Sequence, residues 1–150
     1  MWPASCRRLR KAKVERKGAR QRSAVAKAAK DGRWCGGRRA LGYEKVGVTV
    51  GESEAVAIKQ GYAVVLAGEL LSEIARRWNT TGLTTGQGRP WSRYAVKDVL
   101  TNPRNAGLRR HRLSEDRPII RQNPEPGITG KAEWPAIVDE TTWRAVVRIL

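Results

Sequence analysis

The chain has 150 residues, of which 30 are lysine or arginine and 14 are acidic, giving a formal net charge of +16 at pH 7. No apolar run approaches the length of a membrane span, and the basic N-terminus lacks the apolar segment of a secretory signal. The two cysteines, Cys6 and Cys35, form no C-x-x-C pair and have no histidine nearby. We therefore expect two reduced thiols, with no metal and no other cofactor.

The positive charge is concentrated at the N-terminal end. Residues 1–30 hold 11 lysines and arginines and a single acid, Glu15, whereas residues 31–150 hold 19 and 13. Such basic density favours a phosphate backbone, because binding releases condensed counterions. A membrane surface would attract the same charge, but this segment lacks an apolar face. The predicted partner is therefore double-stranded DNA and not a membrane.

Three segments are predicted before the main domain. Residues 1–13 show no periodic pattern and are expected to be an irregular basic N-terminus. Residues 14–31 are rich in alanine, lysine, arginine and glutamine, which favour a long basic helix. Residues 32–45 are rich in glycine and arginine, and such a linker can follow a phosphate backbone or enter a minor groove. A plain flexible connection is the alternative for this linker.

Residues 46–150 are predicted to form one mainly α-helical domain with a small β element. A short strand is expected at 46–50, and a helix at 52–67 with Ser53 as its N-cap. Gly68 suits the end of that helix.

The next two helices form a helix-turn-helix-like pair. Apolar residues at helical spacing predict a helix over 70–78, and Ser92 caps another that runs to about Thr101. A Gly/Thr-rich loop joins the two. The first turns of such a second helix meet base edges in the major groove, which suits long polar side chains. A solvated helix face is an equally good interpretation of Arg93 and Lys97, and a packing role is equally good for Tyr94.

The remaining elements are shorter. Residues 107–112 suit a basic edge strand, in which His111 faces solvent or phosphate. Residues 114–131 look like a polar loop, and a final helix begins near Glu140 with Asp139 as its N-cap. The predicted DNA-binding residues are Arg33, Arg38, Arg39, Arg76, Arg77, Ser92, Arg93, Tyr94, Lys97, Arg104, Arg109, Arg110 and Arg112.

No catalytic constellation is recognisable in the sequence. A nucleophile–histidine arrangement would have to use His111, which lies between arginines. The chain contains no Gly-x-Ser-x-Gly, no phosphate-binding loop and no HExxH motif. We therefore assign no catalytic residue.

An ordered series of short motifs resembles the recombinase domain of large serine site-specific recombinases, the phage-type integrases of bacteria. The series covers about residues 14–150. Its members are Gly32-Arg33-Trp34, Gly36-Gly37, Leu41-Gly42-Tyr43, Glu54-Ala55, Gly68, Glu73-Ile74-Ala75, Trp78-Asn79, Gly82, Thr85, Gly88, Trp91-Ser92, Val96, Val99-Leu100, Asn102-Pro103, Ala106-Gly107, Trp134-Pro135-Ala136-Ile137-Val138 and Trp143.

The resemblance implies a function for each segment. Residues 14–31 would be the remnant of the long inter-domain helix, and 32–45 the linker that contacts DNA. Residues 46–150 would bind one half-site of an attachment site, in the bacterial cytoplasm at the nucleoid. The family's catalytic serine domain and zinc-ribbon domain are not represented in the sequence. We therefore expect a fragment that does not exchange strands alone and whose oligomerisation would need the catalytic domain.

The sequence departs from the family at three places. Ala40-Leu41-Gly42-Tyr43 stands where the family has Pro, an aromatic residue, Gly and Tyr. Asn105 replaces the aromatic residue usual after Asn-Pro-x, and Leu70 replaces a capping serine, at a cost of about 1 kcal/mol. A free-standing helix-turn-helix transcriptional regulator and a basic RNA-binding protein remain the alternatives to a recombinase domain.

Overall fold

The computed structural model describes residues 4–44, 47–111 and 123–150, with side chains from residue 11 onwards. Within these ranges the chain forms five α-helices, one 3₁₀ turn and a two-stranded antiparallel sheet. The predicted mainly α-helical fold with a small β element is therefore confirmed. None of the described helices is both long and apolar enough to cross a membrane.

Helix α1 spans Ala4–Lys30 and is longer than expected. The prediction of an irregular segment over 1–13 is wrong from Ala4 onwards. That stretch contains neither glycine nor proline before Val14 and is mostly alanine, lysine and arginine, so helical propensity continues upstream.

Helices α2 (Glu52–Leu66), α3 (Leu71–Thr80), α4 (Arg93–Leu100) and α5 (Glu140–Ile149) share one core. Each turns its apolar stripe inward, and burial of these large side chains is the main stabilising contribution. The core residues of the four helices include Ile58, Tyr62, Ile74, Trp78, Val96, Leu100, Trp143 and Val146.

The helix starts test the predicted caps. Ser92 Oγ accepts from the N–H of Ala95 at 3.3 Å, and an Asp139 oxygen accepts from the N–H of Thr142 at 2.8 Å, as expected. Ser53 is not a cap, because α2 already begins at Glu52 and Ser53 lies inside its first turn. Leu70 precedes α3 without a side-chain cap, which agrees with the loss inferred from the sequence.

Beyond α4 the chain forms a 3₁₀ turn at Pro103–Ala106 and strand β1 at Leu108–Arg110. Strand β1 pairs with β2, Ile128–Lys131, so the polar loop expected over 114–131 ends in a strand. The three prolines and two glycines of that stretch indicated a loop, although Ile128 and Thr129 are β-branched. The strand expected at 46–50 is reduced, in the described residues, to one bridge between Tyr43 and Val50. Residues 45 and 46 lie outside the description.

Candidate nucleic-acid interface

One asparagine and two tryptophans close the connection between α3 and α4. The Asn79 side-chain amide donates to the Trp91 carbonyl oxygen at 3.0 Å, and its oxygen accepts from the Trp91 N–H at 2.7 Å. The Trp91 ring packs edge-on against Trp78, with 4.8 Å between ring centroids. These contacts bring the loop back to the end of α3 and hold the start of α4 beside it. The helix-turn-helix-like pair is therefore built into the core.

The first turn of α4 presents an exposed arginine–tyrosine pair. Arg93 Nη2 donates to the Tyr94 hydroxyl at 2.7 Å, and its guanidinium carbon lies 4.7 Å from the Tyr94 ring centroid. Tyr94 is 66% exposed. Ser92 Oγ accepts the capping hydrogen bond but keeps its hydroxyl hydrogen as a donor. Ser92, Arg93 and Tyr94 are therefore the exposed polar side chains at the start of α4 that are available to a ligand.

Lys97 lies on the flank of α4 and is half-buried. Its Nζ donates to the carbonyl oxygen of Leu150, at the end of α5. This ammonium group therefore already has a partner within the fold. It is less available to bind DNA than the guanidinium group of the more exposed Arg93.

The two arginines of α3 are exposed and paired with acids of their own helix and its approach. Arg76 Nη2 lies 2.6 Å from Glu73 Oε1. Arg77 Nη2 lies 2.8 Å from Glu69 Oε2, and Arg77 Nε lies 3.1 Å from Glu73 Oε1. Hydrogen bonds from Arg76 and Arg77 lower the pKa of Glu73 to about 2. Ion pairs this exposed contribute little stability, so a phosphate can replace the carboxylate as partner.

A groove of about 590 Å³ runs between α3 and the start of α4. Its walls carry hydroxyl, amide and guanidinium groups, which are hydrogen-bond donors to an anion. The polar residues that line it are Ser72, Arg76, Asn79, Thr80, Ser92 and Arg93.

Arg104, expected to contact DNA, lies instead in an aromatic cage. It is 6% exposed, and its guanidinium carbon lies 4.0 Å from the ring centroid of Trp134, 4.3 Å from that of Trp34 and 4.5 Å from that of Tyr43. Its Nη2 donates to the carbonyl oxygen of Gly47. Burial lowers the pKa of Arg104 to about 10. The prediction of a DNA contact is therefore corrected: this cation packs against the fold.

The same cage attaches the linker to the domain. Trp34 belongs to the linker, and its N–H donates to the carboxylate of Glu133. The Glu133 N–H donates in turn to the Gly32 carbonyl oxygen at 3.0 Å. The first residues of the linker are thus held against the turn after β2.

The last turn of α1 is docked, and the rest projects outward. Ala29 is buried, and the Thr129 hydroxyl of β2 donates to its carbonyl oxygen at 3.0 Å. Between residues 11 and 25 every residue except Gly18 is exposed. The exposed cations of α1 in the described side chains are Lys11, Lys13, Arg16, Lys17, Arg20, Arg22, Lys27 and Lys30.

The three linker arginines differ in their surroundings. Arg33 pairs with Asp31 at 3.0 Å, and Arg38 is exposed without an ion pair in the described part of the chain. Arg39 donates to both oxygens of Glu54, at 2.8 and 2.7 Å. The geometry thus assigns Arg39 to the fold and leaves Arg33 and Arg38 at the surface.

The basic strand faces the linker. Arg109 Nη2 lies 3.1 Å from the thiol sulfur of Cys35, and Arg110 Nη1 donates to the Pro124 carbonyl oxygen at 3.2 Å. Both arginines are half-buried, as is His111. The predicted contact residue Arg112 lies outside the described residues.

The connection between α3 and α4, closed by Asn79, Trp78 and Trp91, is called the α3–α4 corner below. Sequence reasoning missed the part of Asn79 in this corner, and it missed the exposed acid Asp98 on α4. The Trp-Asn pair in the motif series was the available signal for Asn79. For metals, the described residues contain no group of three or more histidines, cysteines or acids able to hold an ion.

A family model described as Recombinase matches residues 52–150. Among solved structures, the chain is similar to a crystal structure of a complex between a large serine recombinase and DNA, with a TM-score of 0.63 and 16% sequence identity. That similarity covers 87% of this chain, which spans 37% of the other chain's length. None of the curated protein sequences matches the chain significantly.

Proposed function

Since the chain belongs to the Recombinase family, we propose that it binds double-stranded DNA sequence-specifically, at one half-site of an attachment site. The observation that carries this proposal is the α3–α4 corner. It places the exposed Arg93–Tyr94 pair at the start of a helix, in a chain of net charge +16. Long polar side chains in the first turn of a fixed helix are what major-groove recognition requires.

Each segment would then contact a different part of the duplex. The helix from Arg93 lies in the major groove, and Arg76 and Arg77 of α3 hold adjacent phosphates. Arg38, which is exposed, and Arg33, whose exposed ion pair with Asp31 a phosphate can replace, are the linker arginines that reach a minor groove. Arg39 is held by Glu54 instead. The exposed cations of helix α1 lie along the phosphate backbone of the DNA. A chain with this role acts in the cytoplasm, at the nucleoid.

These 150 residues are expected to bind DNA and not to exchange its strands. Neither the sequence nor the described structure supplies a nucleophile with an activating base. The chain incubated with a supercoiled plasmid bearing its selected site is expected to bind it without nicking or relaxing it. Relaxation by pure protein would contradict this part.

The test of the main proposal is selection from a randomised duplex library, followed by gel shifts on the enriched sequence. Arg93→Ala is expected to bind the enriched duplex about tenfold more weakly, the loss typical of one good base contact. Arg148→Ala removes the same charge from the exposed end of α5 and is the matched control. Equal losses in both variants would remove the recognition-helix assignment. Preference for structured RNA over every duplex would favour the RNA-binding alternative.

A further inference from the structure

The solvent side of α4 contains an acid. A helix turns by about 100° per residue, so Tyr94 and Asp98, four apart, lie on the same side. That side is opposite Val96 and Leu100, which are fully buried. Asp98 is exposed, and its position places it next to Tyr94 on the surface that faces away from the core.

Asp98 has no role in holding the fold. In the described part of the chain its carboxylate makes no hydrogen bond and no ion pair, whereas Glu54, Glu73 and Glu140 each pair with an arginine. It lies in the last turn of α4, near the negative end of the helix dipole, where a carboxylate is unfavourable. The residue therefore costs the helix some stability and gains nothing from its neighbours.

A carboxylate on a DNA-facing surface also repels phosphates, so it needs a hydrogen-bond donor within the groove. The major groove offers such donors only on the exocyclic amino groups of cytosine and adenine, and acids pair characteristically with cytosine N4. We propose that Asp98 is a specificity-determining residue that accepts a hydrogen bond from the amino group of a cytosine. This inference rests on the proposed DNA-binding function and on α4 as the helix in the groove.

The test compares base preferences by selection from the randomised duplex library with wild type, Asp98→Asn and Asp98→Ala. The wild-type chain is expected to enrich cytosine at one position. Asp98→Asn is expected to change that position to adenine, because an asparagine amide pairs with adenine N6 and N7. Asp98→Ala is expected to lose the preference there, with about tenfold weaker discrimination between cytosine and the other bases.

The control is Glu52→Gln, which removes one negative charge from an exposed acid of α2. It is expected to leave the enriched sequence unchanged. Thermal unfolding of each variant verifies that it folds, and Asp98→Asn is expected to melt no lower than wild type.

The outcomes separate the two proposals. If wild type enriches a sequence and all variants enrich the same one, Asp98 does not read a base, while the DNA-binding function stands. If both Asp98 variants merely bind every duplex more tightly than wild type, Asp98 acts only through its charge, and its assignment as a base-reading residue is overturned. If wild type enriches no sequence, sequence-specific binding itself fails, and the Asp98 assignment fails with it.

Discussion

The guanidinium carbon of Arg104 lies 4.0 Å from the ring centroid of Trp134, so a charged side chain is stacked inside the domain. A buried cation without compensation would be costly. Here the negative faces of Trp134, Trp34 and Tyr43 surround it, and the Gly47 carbonyl oxygen accepts from it. Because Trp34 comes from the linker, this cation ties the linker to the domain.

Arg104→Ala is expected to lower the free energy of unfolding by about 3 kcal/mol. It removes desolvated cation–π contacts, worth about 2 kcal/mol, and a charged hydrogen bond of about 1.5 kcal/mol, with some relaxation of the cage. Arg104→Lys is also expected to destabilise, because an ammonium cannot stack as a plane. Urea unfolding followed by tryptophan fluorescence measures both. Arg38→Ala, at an exposed position, is the control, and a loss equal to that of Arg104→Ala would contradict the cage.

Asn79→Ala is expected to cost about 2 kcal/mol of stability, because two hydrogen bonds to the Trp91 backbone are lost, each with a net value of about 1 kcal/mol. DNA affinity should fall as well, since Asn79 holds the start of α4 in place. Thermal unfolding and gel shifts measure the two effects. Thr84→Ala in the same loop is the control. A destabilised Asn79→Ala protein with unchanged DNA affinity would separate the corner from recognition.

The elements predicted best from the sequence are those whose signals are local. Helices α2, α4 and α5 follow from apolar periodicity, and the caps Ser92 and Asp139 follow from their position before it. The upstream part of α1 was missed because it has helix-forming residues without an apolar stripe. Strand β2 was missed because proline and glycine suggested a loop.

The roles of the arginines depend on contacts between distant parts of the chain, which spacing does not reveal. Arg104 meets Trp34 and Trp134, and Arg39 meets Glu54, only after the linker folds onto the domain. The same applies to Asn105, a polar residue where the family has an aromatic one. Its buried amide donates to the Val99 carbonyl oxygen at 2.8 Å and to the Tyr62 hydroxyl at 3.1 Å, so the replacement is accommodated by hydrogen bonds.

The carboxyl of Glu54 should make stability depend on acid pH. Burial alone raises its pKa, but hydrogen bonds from Arg39 and from the Gly42 N–H outweigh it and hold the pKa below the ordinary value of 4.5. The unfolded state then binds the proton more readily. The stabilisation is present above pH 4.5 and is lost as the pH falls through the lower folded-state pKa.

Glu54→Gln is accordingly expected to lower the melting temperature at pH 7 and to give a shallower decline between pH 5 and about 2. Melting curves across this range provide the measurement. Glu52→Gln, two residues earlier on α2, lies outside the hydrogen-bond set and should keep the wild-type profile. A Glu54→Gln profile parallel to that of wild type would show that the Arg39–Glu54 pair does not stabilise the fold.

The exposed cations of α1 should act through phosphates alone. Arg16 and Arg20 lie one turn apart on α1, both exposed. The double change to glutamine is expected to weaken binding to all duplexes alike and to reduce the slope of log affinity against log salt by about 1.8, or about 0.9 per phosphate contact. Arg93→Ala, in contrast, should weaken binding to the enriched duplex more than binding to a scrambled one.

The control for the α1 variant changes Lys59 and Arg148 to glutamine, which removes the same charge outside α1 and should leave the slope nearly unchanged. If the α1 variant instead lost affinity for the enriched sequence only, α1 would be reading bases, and the division between a backbone-binding helix and a base-reading corner would be wrong.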